Sequence, residues 1–265
     1  MKRSTERNGR APSPVLKAVT LLAHVARAAA PVSLAALSAA VKLPKPTAHR
    51  LAGLLREAGL VRKDPLTRCY VVGPALVDIG FDAIRGGPAH RNRQLLLERL
   101  SEKLGETVNV GVLSGGEVLY LDRVEASWPL RTDFKPGSRV PLHCTANGKL
   151  FLAFAAPAAR GRLLRGLRLA PLTSRTITSR SALVAQLAEV RLRGWSEDDE
   201  EFLAGVCCLA VPIRDRRGRL IAGLAVSAPS ARFTLARARE HLPDLTAAAE
   251  ALGAELEAER GGGRP

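Results

Sequence analysis

Lys45, His49, Arg50 and Arg56 fall on one stretch of helical spacing, and Arg62, Lys63 and Arg68 follow within a few residues. Thr47 places a hydroxyl among these cations. Lysines and arginines at this density neutralise phosphates and release counterions, and Thr, His and Arg on a helix can reach base edges in a major groove. A second group implies different chemistry. In Thr145-Ala146-Asn147-Gly148 a hydroxyl suited to capping a helix is followed by amides that have no intrahelical acceptor, an arrangement that attracts anions. A third group, Cys144 with His143 or His241, has the residue types of a thiol nucleophile and its base. Adjacent side chains on an extended segment project apart, however, and no acid is spaced to orient an imidazole.

The elements that must position the first group are legible around it. Leu34, Leu37 and Val41 make one helical pattern and Ala48, Leu51, Leu55 and Ala58 another, separated by Val41-Lys42-Leu43-Pro44. Ser33 is placed to N-cap the first helix, and Pro44 and Pro46 fit only before or within the first turn of the second. This predicts a helix from Lys45 to Ala58 that buries Ala48, Leu51, Leu54 and Leu55 and turns Lys45, His49, Arg50, Gly53 and Arg56 outward. Gly59 closes it, and Leu60–Asp64 and Arg68–Val72 read as strands around Pro65-Leu66-Thr67. The whole is a winged helix-turn-helix, with Arg62, Lys63 and Arg68 on the wing. The plainer alternative is a helical hairpin with a solvated cationic face. Charge distribution favours the DNA reader: residues 1–63 carry 12 Lys and Arg against 2 Asp and Glu, whereas the remainder carries 28 against 23.

The 265 residues suffice for two domains, and no apolar run approaches the ~20 residues of a membrane span. The polar start lacks the apolar core of a signal peptide, so a cytoplasmic protein is expected. Cys69, Cys144, Cys207 and Cys208 show no Cys-x-x-Cys spacing, which argues against structural zinc and a disulfide framework, and nothing calls for a cofactor.

Residues 1–14 form a basic arm or a tail without a role. Residues 15–73 are the DNA-binding domain, opening with a helix over Val15–Ala30 that carries Leu16, Val19, Leu22, Ala23 and Ala26 on one side. Residues 74–88 are a linker helix ending at Gly86-Gly87-Pro88, and 89–260 a second domain. That domain opens with a helix over Arg91–Leu104, its stripe formed by Leu95, Leu96, Arg99, Leu100 and Leu104. A hairpin follows, Thr107–Leu113 and Val118–Val124 about Gly115-Gly116, then a turn-rich loop over Ser127–Ser138 and helices over Ala146–Phe154 and Ser181–Arg193. Strands Val206–Arg214 and Leu220–Ser227 precede a last helix over Leu235–Glu259, with a break near Pro243. Leu209, Val211 and Ile213 share one strand face and Cys208 and Ala210 the other, while Gly223, Ala225 and Ser227 share a face of the next strand. The small side chains leave room either for a ligand or for a closely packed helix. Mixed helices and antiparallel strands give an α+β class.

Leu43-Pro44-Lys45-Pro46-Thr47-Ala48-His49-Arg50-Leu51, Val140-Pro141-Leu142-His143-Cys144-Thr145-Ala146-Asn147-Gly148-Lys149, Arg191 through Phe202, and Gly205 through Ile213 together resemble the IclR family of bacterial transcription regulators, over nearly the whole chain. The resemblance implies a winged helix-turn-helix joined by a linker helix to a GAF-like effector-binding domain. It also implies a homodimer or dimer of dimers on a palindromic operator of double-stranded DNA, and a small-molecule effector, often an organic acid. The DNA-binding residues are then Ser33, Lys45, Thr47, His49, Arg50, Arg56, Arg62, Lys63 and Arg68. Carried across residue by residue, the effector site comprises Thr132, Val140, Ala146, Asn147, Asp198, Cys208, Ala225 and Ser227; apart from the resemblance, Arg131 in the loop either pairs with a carboxylate or is solvated. Family members commonly carry Ser where Pro46 stands, which leaves more of the contact to Thr47. Ala146 and Ala225 replace Gly and Ser, and Asn147 an apolar residue. Asp198 has a second reading, a place in a capped first helical turn. An architectural DNA-binding protein without effector and a Cys144-dependent enzyme are the competing functions.

Overall fold

The computed structural model describes residues 13–28, 30–65, 67–85, 88–127 and 134–261. The expected arm at residues 1–14 lies almost wholly outside them, as do Leu66, Gly86, Gly87, Arg131 and Thr132. The chain divides after Ile84 into two compact units.

The first unit contains α1 (Pro14–Arg27), α2 (Leu34–Ala40), α3 (Lys45–Glu57), β1 (Val61–Lys63), β2 (Tyr70–Val72) and α4 (Pro74–Arg85). Ser33 caps α2, its Oγ accepting from the Ala36 amide at 3.2 Å. The turn into α3 is made by Lys42 in the left-handed region and by the Leu43 amide donating to Ser38 O at 3.0 Å. Past α3, Gly59 adopts φ +70° and the Leu60 amide donates back to Leu55 O at 2.9 Å, ending the helix as a glycine terminator does. β1 and β2 pair antiparallel, and Val32 bridges to Tyr70, tying the entry of α2 to the wing. Asp64 Oδ1 accepts from both the amide and the hydroxyl of Thr67, at 2.8 and 2.9 Å, which tightens the wing turn.

Two stripes differ from expectation. α1 ends at Arg27 rather than Ala30 and buries Leu21 and Val25, leaving Leu16 and Val19 more than half exposed. α3 buries Ala48, Leu51, Ala52 and Leu55, and Leu54 is 50 % exposed. The spacing i, i+3, i+4, i+7 centres between Ala48 and Leu55, and Leu54 falls about 110° to one side of it.

The second unit is a six-stranded antiparallel sheet in the order β5-β4-β3-β8-β7-β6. Its strands are β3 (Thr107–Ser114), β4 (Glu117–Val124), β5 (Arg139–Val140), β6 (Ser196–Asp199), β7 (Val206–Arg214) and β8 (Leu220–Pro229). α5 (Pro88–Leu104) and α10 (Leu242–Gly261) pack on the face that carries Leu209, Val211 and Ile213. α6 (Ala146–Phe154) packs on the small-residue face, backed by α8 (Arg180–Arg193) and α7 (Pro157–Gly166); α9 (Leu235–Glu240) precedes α10, the break falling at His241. The stripe of α5 is Arg93, Leu97, Leu100, Ser101 and Leu104, not the one built on Leu95, which is 46 % exposed. Arg93 is fully buried because its Nε donates to Asp122 Oδ2 at 2.8 Å, so a charge stands where sequence reasoning sought a leucine. The acidic run at 196–199 is an edge strand and not a helical turn: Asp198 pairs with Cys208 and Ser196 with Ala210.

The β3–β4 register passes from Val110↔Asp122 to Gly111↔Tyr120, leaving Leu121 as a bulge. The bulge restores Tyr120 to the face already occupied by Arg123, three residues away, and so brings both onto the side that carries Asn109, Gly111, Gly223, Ala225 and Ser227.

Candidate functional site

In the first unit, Lys45, His49, Arg50 and Arg56 are exposed on α3 and Thr47 is half-buried at its flank. By the 3.6-residue period Arg50 lies opposite the buried stripe, with Pro46 and Gly53, while His49 and Arg56 share one shoulder of the exposed face and Thr47 lies on the other. Arg62 and Arg68 are exposed on the wing, and Lys63 Nζ lies 5.6 Å from the centre of the Tyr70 ring. Ser33 is exposed, with its hydroxyl oxygen engaged by the cap. Helix and wing thus present a cationic surface, with apolar side chains turned inward.

In the second unit, Thr145 caps α6. Its Oγ1 accepts from the Gly148 amide at 3.1 Å and donates to Pro141 O at 2.6 Å. The first intrahelical bond is Lys149 N to Thr145 O, so the amides of Ala146 and Asn147 come before it. Ala146 and Asn147 line a cavity floored by Asn109, Ala225, Ser227 and Cys208, and walled by Tyr120, Phe134, Phe202, Arg123 and Asp198. Among the described residues the space at its centre is about 20 Å³, room for roughly one water. Part of the wall is an aromatic cluster: Phe134 lies 6.0 Å from Tyr120, edge to face, and 5.6 Å from Phe202.

Of the residues expected at an effector site, Ala146, Asn147, Asp198, Cys208, Ala225 and Ser227 come together around this cavity. Val140 does not line it. The β5 register, Val118↔Val140, turns that side chain into an apolar cluster with Val118, Leu142 and Leu150. Thr132 and Arg131 lie outside the described residues. Arg123 and the three aromatic residues were missed; the pairing Asn109↔Arg123 was the available signal, hidden by the bulge that follows it. A helix does pack on the small-residue face, with Ala146 of α6 against Ala210 and Ala225. Asn147 occupies the space over Gly111 and Gly223, while Ala225 and Ser227 face the cavity.

The site is electrically mixed. Burial pushes the Asp198 carboxyl up to about 7, against the pull of the Lys149 ammonium and of the Glu201 amide, which donates to Asp198 Oδ1 at 2.7 Å. Lys149 is itself fully buried and ion-paired with Glu201. The Arg123 guanidinium, with Nε 3.6 Å from Glu125 Oε1, lowers the cost of negative charge at Tyr120 and Cys208, whereas Asp198 raises it. Arg123 therefore supplies positive potential to the wall and Asp198 negative. Asn147 Nδ2 donates to Asn109 Oδ1 at 3.0 Å.

Burial, with Asp198 and Glu201 nearby, pushes the Cys144 thiol up to about 12. His143 Nε2 lies 3.1 Å from Ala170 O, and His241 stacks on Phe233. A thiol so held supplies little thiolate at neutral pH, and neither imidazole is seen directed at it. Among the described residues no group of His, Cys, Asp and Glu is arranged to hold a metal, and no helix is long and apolar enough to cross a membrane.

A winged helix-turn-helix followed by an α/β unit with a polar buried cavity is the build of a two-domain transcription regulator. The chain belongs to the IclR family: residues 14–65 match the IclR helix-turn-helix domain, and residues 89–254 match the bacterial transcriptional regulator IclR C-terminal domain. It is 42 % identical over 236 residues to a protein named as probable transcriptional regulator SauR of Cupriavidus necator, across 89 % of this chain and 93 % of that one. It is 32 % identical over 225 residues to the HTH-type transcriptional regulator KdgR of Escherichia coli, across 85 % and 86 %. Among solved structures it resembles Thermotoga maritima IclR, with a TM-score of 0.62, 28 % identity and coverage of 91 % and 98 %. It also resembles an IclR homologue of Microbacterium hydrocarbonoxydans complexed with 4-hydroxybenzoate, with a TM-score of 0.58, 25 % identity and coverage of 93 % and 100 %.

Proposed function

We propose that this regulator binds a palindromic operator as a homodimer or dimer of dimers, and that a small organic acid in the cavity sets its affinity for DNA. The observation that carries the effector reading is the cavity itself, where the leading amides of α6 and the Arg123 guanidinium both favour an anion over a floor of small side chains. The relative complexed with 4-hydroxybenzoate supports an acid as the ligand class. On the DNA side Thr47, His49 and Arg50 contact base edges or nearby phosphates, Lys45, Arg56 and Ser33 contact the backbone, and Arg62, Lys63 and Arg68 position the wing. Val15, Leu16 and Val19, each more than half exposed on α1, support pairing of two copies through an apolar face.

An acid regulates only through a difference in its affinity for the two arrangements of the paired domains. The test is calorimetry of the whole chain against a panel of organic acids that includes 4-hydroxybenzoate. Saturable binding by at least one acid, weakened in Arg123→Gln, is expected. Absence of binding by every acid, with DNA binding intact, overturns the effector reading and leaves the DNA reading standing.

A further inference from the structure

The second unit carries a charge asymmetry that the effector site does not use. Residues 157–193, from α7 through α8, hold eight arginines and a single carboxylate, Glu189. Arg175 is paired with Asp199, Arg193 with Glu197, and Arg180 donates to the carbonyls of Leu164 and Leu167. Arg162, Arg165, Arg168 and Arg191 are exposed and make no ion pair among the described residues.

A groove of about 520 Å³ runs between α7 and α8, bordered by Arg191 and by Arg160, whose Nη1 also donates to Ala153 O at 3.4 Å. Its apolar lining is Leu164 from α7 and Val184, Leu187 and Leu192 from α8, with Arg160 and Arg191 on its two sides. Val184, Ala188 and Leu192 follow one another at i, i+4 and i+8, the ridge that one helix offers to another. Val184 is 50 % exposed and Leu192 is 89 % exposed, an unusual placement for so apolar a ridge. The groove is held in shape: Arg180, at the start of α8, ties down the last carbonyls of α7.

We propose that the α7–α8 groove docks an acidic amphipathic helix of a partner protein, with apolar anchors at i and i+4 on Leu164, Val184 and Leu192 and flanking carboxylates on Arg160 and Arg191. Charge selects this occupant. A second copy presenting the same face would set arginine against arginine, and like-charge contacts cost affinity. A nucleic acid would meet an apolar floor with no aromatic ring on which to stack a base.

The probe is a fluorescein-labelled helical peptide of about sixteen Glu, Ala and Leu residues, leucines at i, i+4 and i+7, titrated with the whole chain and followed by anisotropy. Saturable binding is expected, weakened at least about tenfold by Leu192→Glu and by Arg191→Glu but unchanged by Arg217→Glu, a surface charge reversal elsewhere. Thermal melts of the variants check that all remain folded. The proposal fails if the peptide does not saturate, if a scrambled peptide of equal charge binds as well, or if Arg217→Glu weakens binding equally. It fails likewise if duplex DNA or anionic vesicles displace the peptide from this face, or if sedimentation shows that Leu192→Glu separates copies of the chain joined there.

Discussion

Asn147 Oδ1 lies 2.3 Å from the point where a β-carbon on Gly223 would stand. Gly223 pairs in register with Gly111, whose own β-carbon would fall 3.0 Å from Asn147 Nδ2, so two glycines on adjacent strands seat one buried amide. Gly223→Ala is expected to destabilise the second unit by about 1–3 kcal/mol, the usual cost of overpacking a closed core. Asn147→Ala made in the same chain should recover much of that loss. Urea unfolding of the two single variants and the double variant gives the coupling; simple additivity would show that the contact is not the source of the effect.

Asp198 titrates across a useful range. Its carboxyl is raised from about 3.8 to about 7 chiefly by burial, so between those values the folded chain holds a proton that the unfolded chain has released. Stability must then fall as pH rises from about 4 through about 7, the direction set by the extra proton of the native state. Asp198→Asn keeps an oxygen to accept from the Glu201 and Phe202 amides and should flatten that slope. Denaturation midpoints at pH 5 and pH 7.5 compare the two chains, and an equal loss in both would place the titration elsewhere. Protonation also removes a negative charge from the cavity, so an organic acid should bind more tightly at pH 6 than at pH 8 in the parent chain, and less differently in the variant.

The reading helix and the wing should separate by what they lose. Arg50, opposite the buried stripe of α3, is expected on mutation to alanine to lower discrimination between operator and random DNA by about 1–3 kcal/mol. Lys63→Ala should weaken both DNAs alike and reduce the salt slope by about one. Mobility shifts on the two DNAs at two salt concentrations measure both quantities; the same loss on operator and random DNA for Arg50→Ala would remove its reading role.

Much of the DNA-binding unit was legible because its signals are local: Ser33 before α2, prolines at the start of α3, Gly59 after it, and cations opposite a periodic apolar stripe. β3, β4, β7 and β8 and the cap at Thr145 were legible for the same reason. What escaped depends on partners distant in sequence. Arg93 is buried only because Asp122 meets it, and β6 is a strand only because Ser196 and Asp198 find Ala210 and Cys208. Arg123 and Tyr120 share a wall because one bulged residue, Leu121, shifts the register between them. The ridge of α8 reads as ordinary amphipathic spacing until the fold shows which side is covered.

The central claim is that a ligand in the cavity changes DNA affinity, and one titration tests it most directly. The intergenic DNA upstream of the chain's own gene is titrated by mobility shift with and without a saturating organic acid that calorimetry has shown to bind. A change in the DNA midpoint of about fivefold or more is predicted for the parent chain, and a smaller change for Arg123→Gln at the same acid concentration. An acid that saturates the cavity and leaves the midpoint where it was would contradict the account.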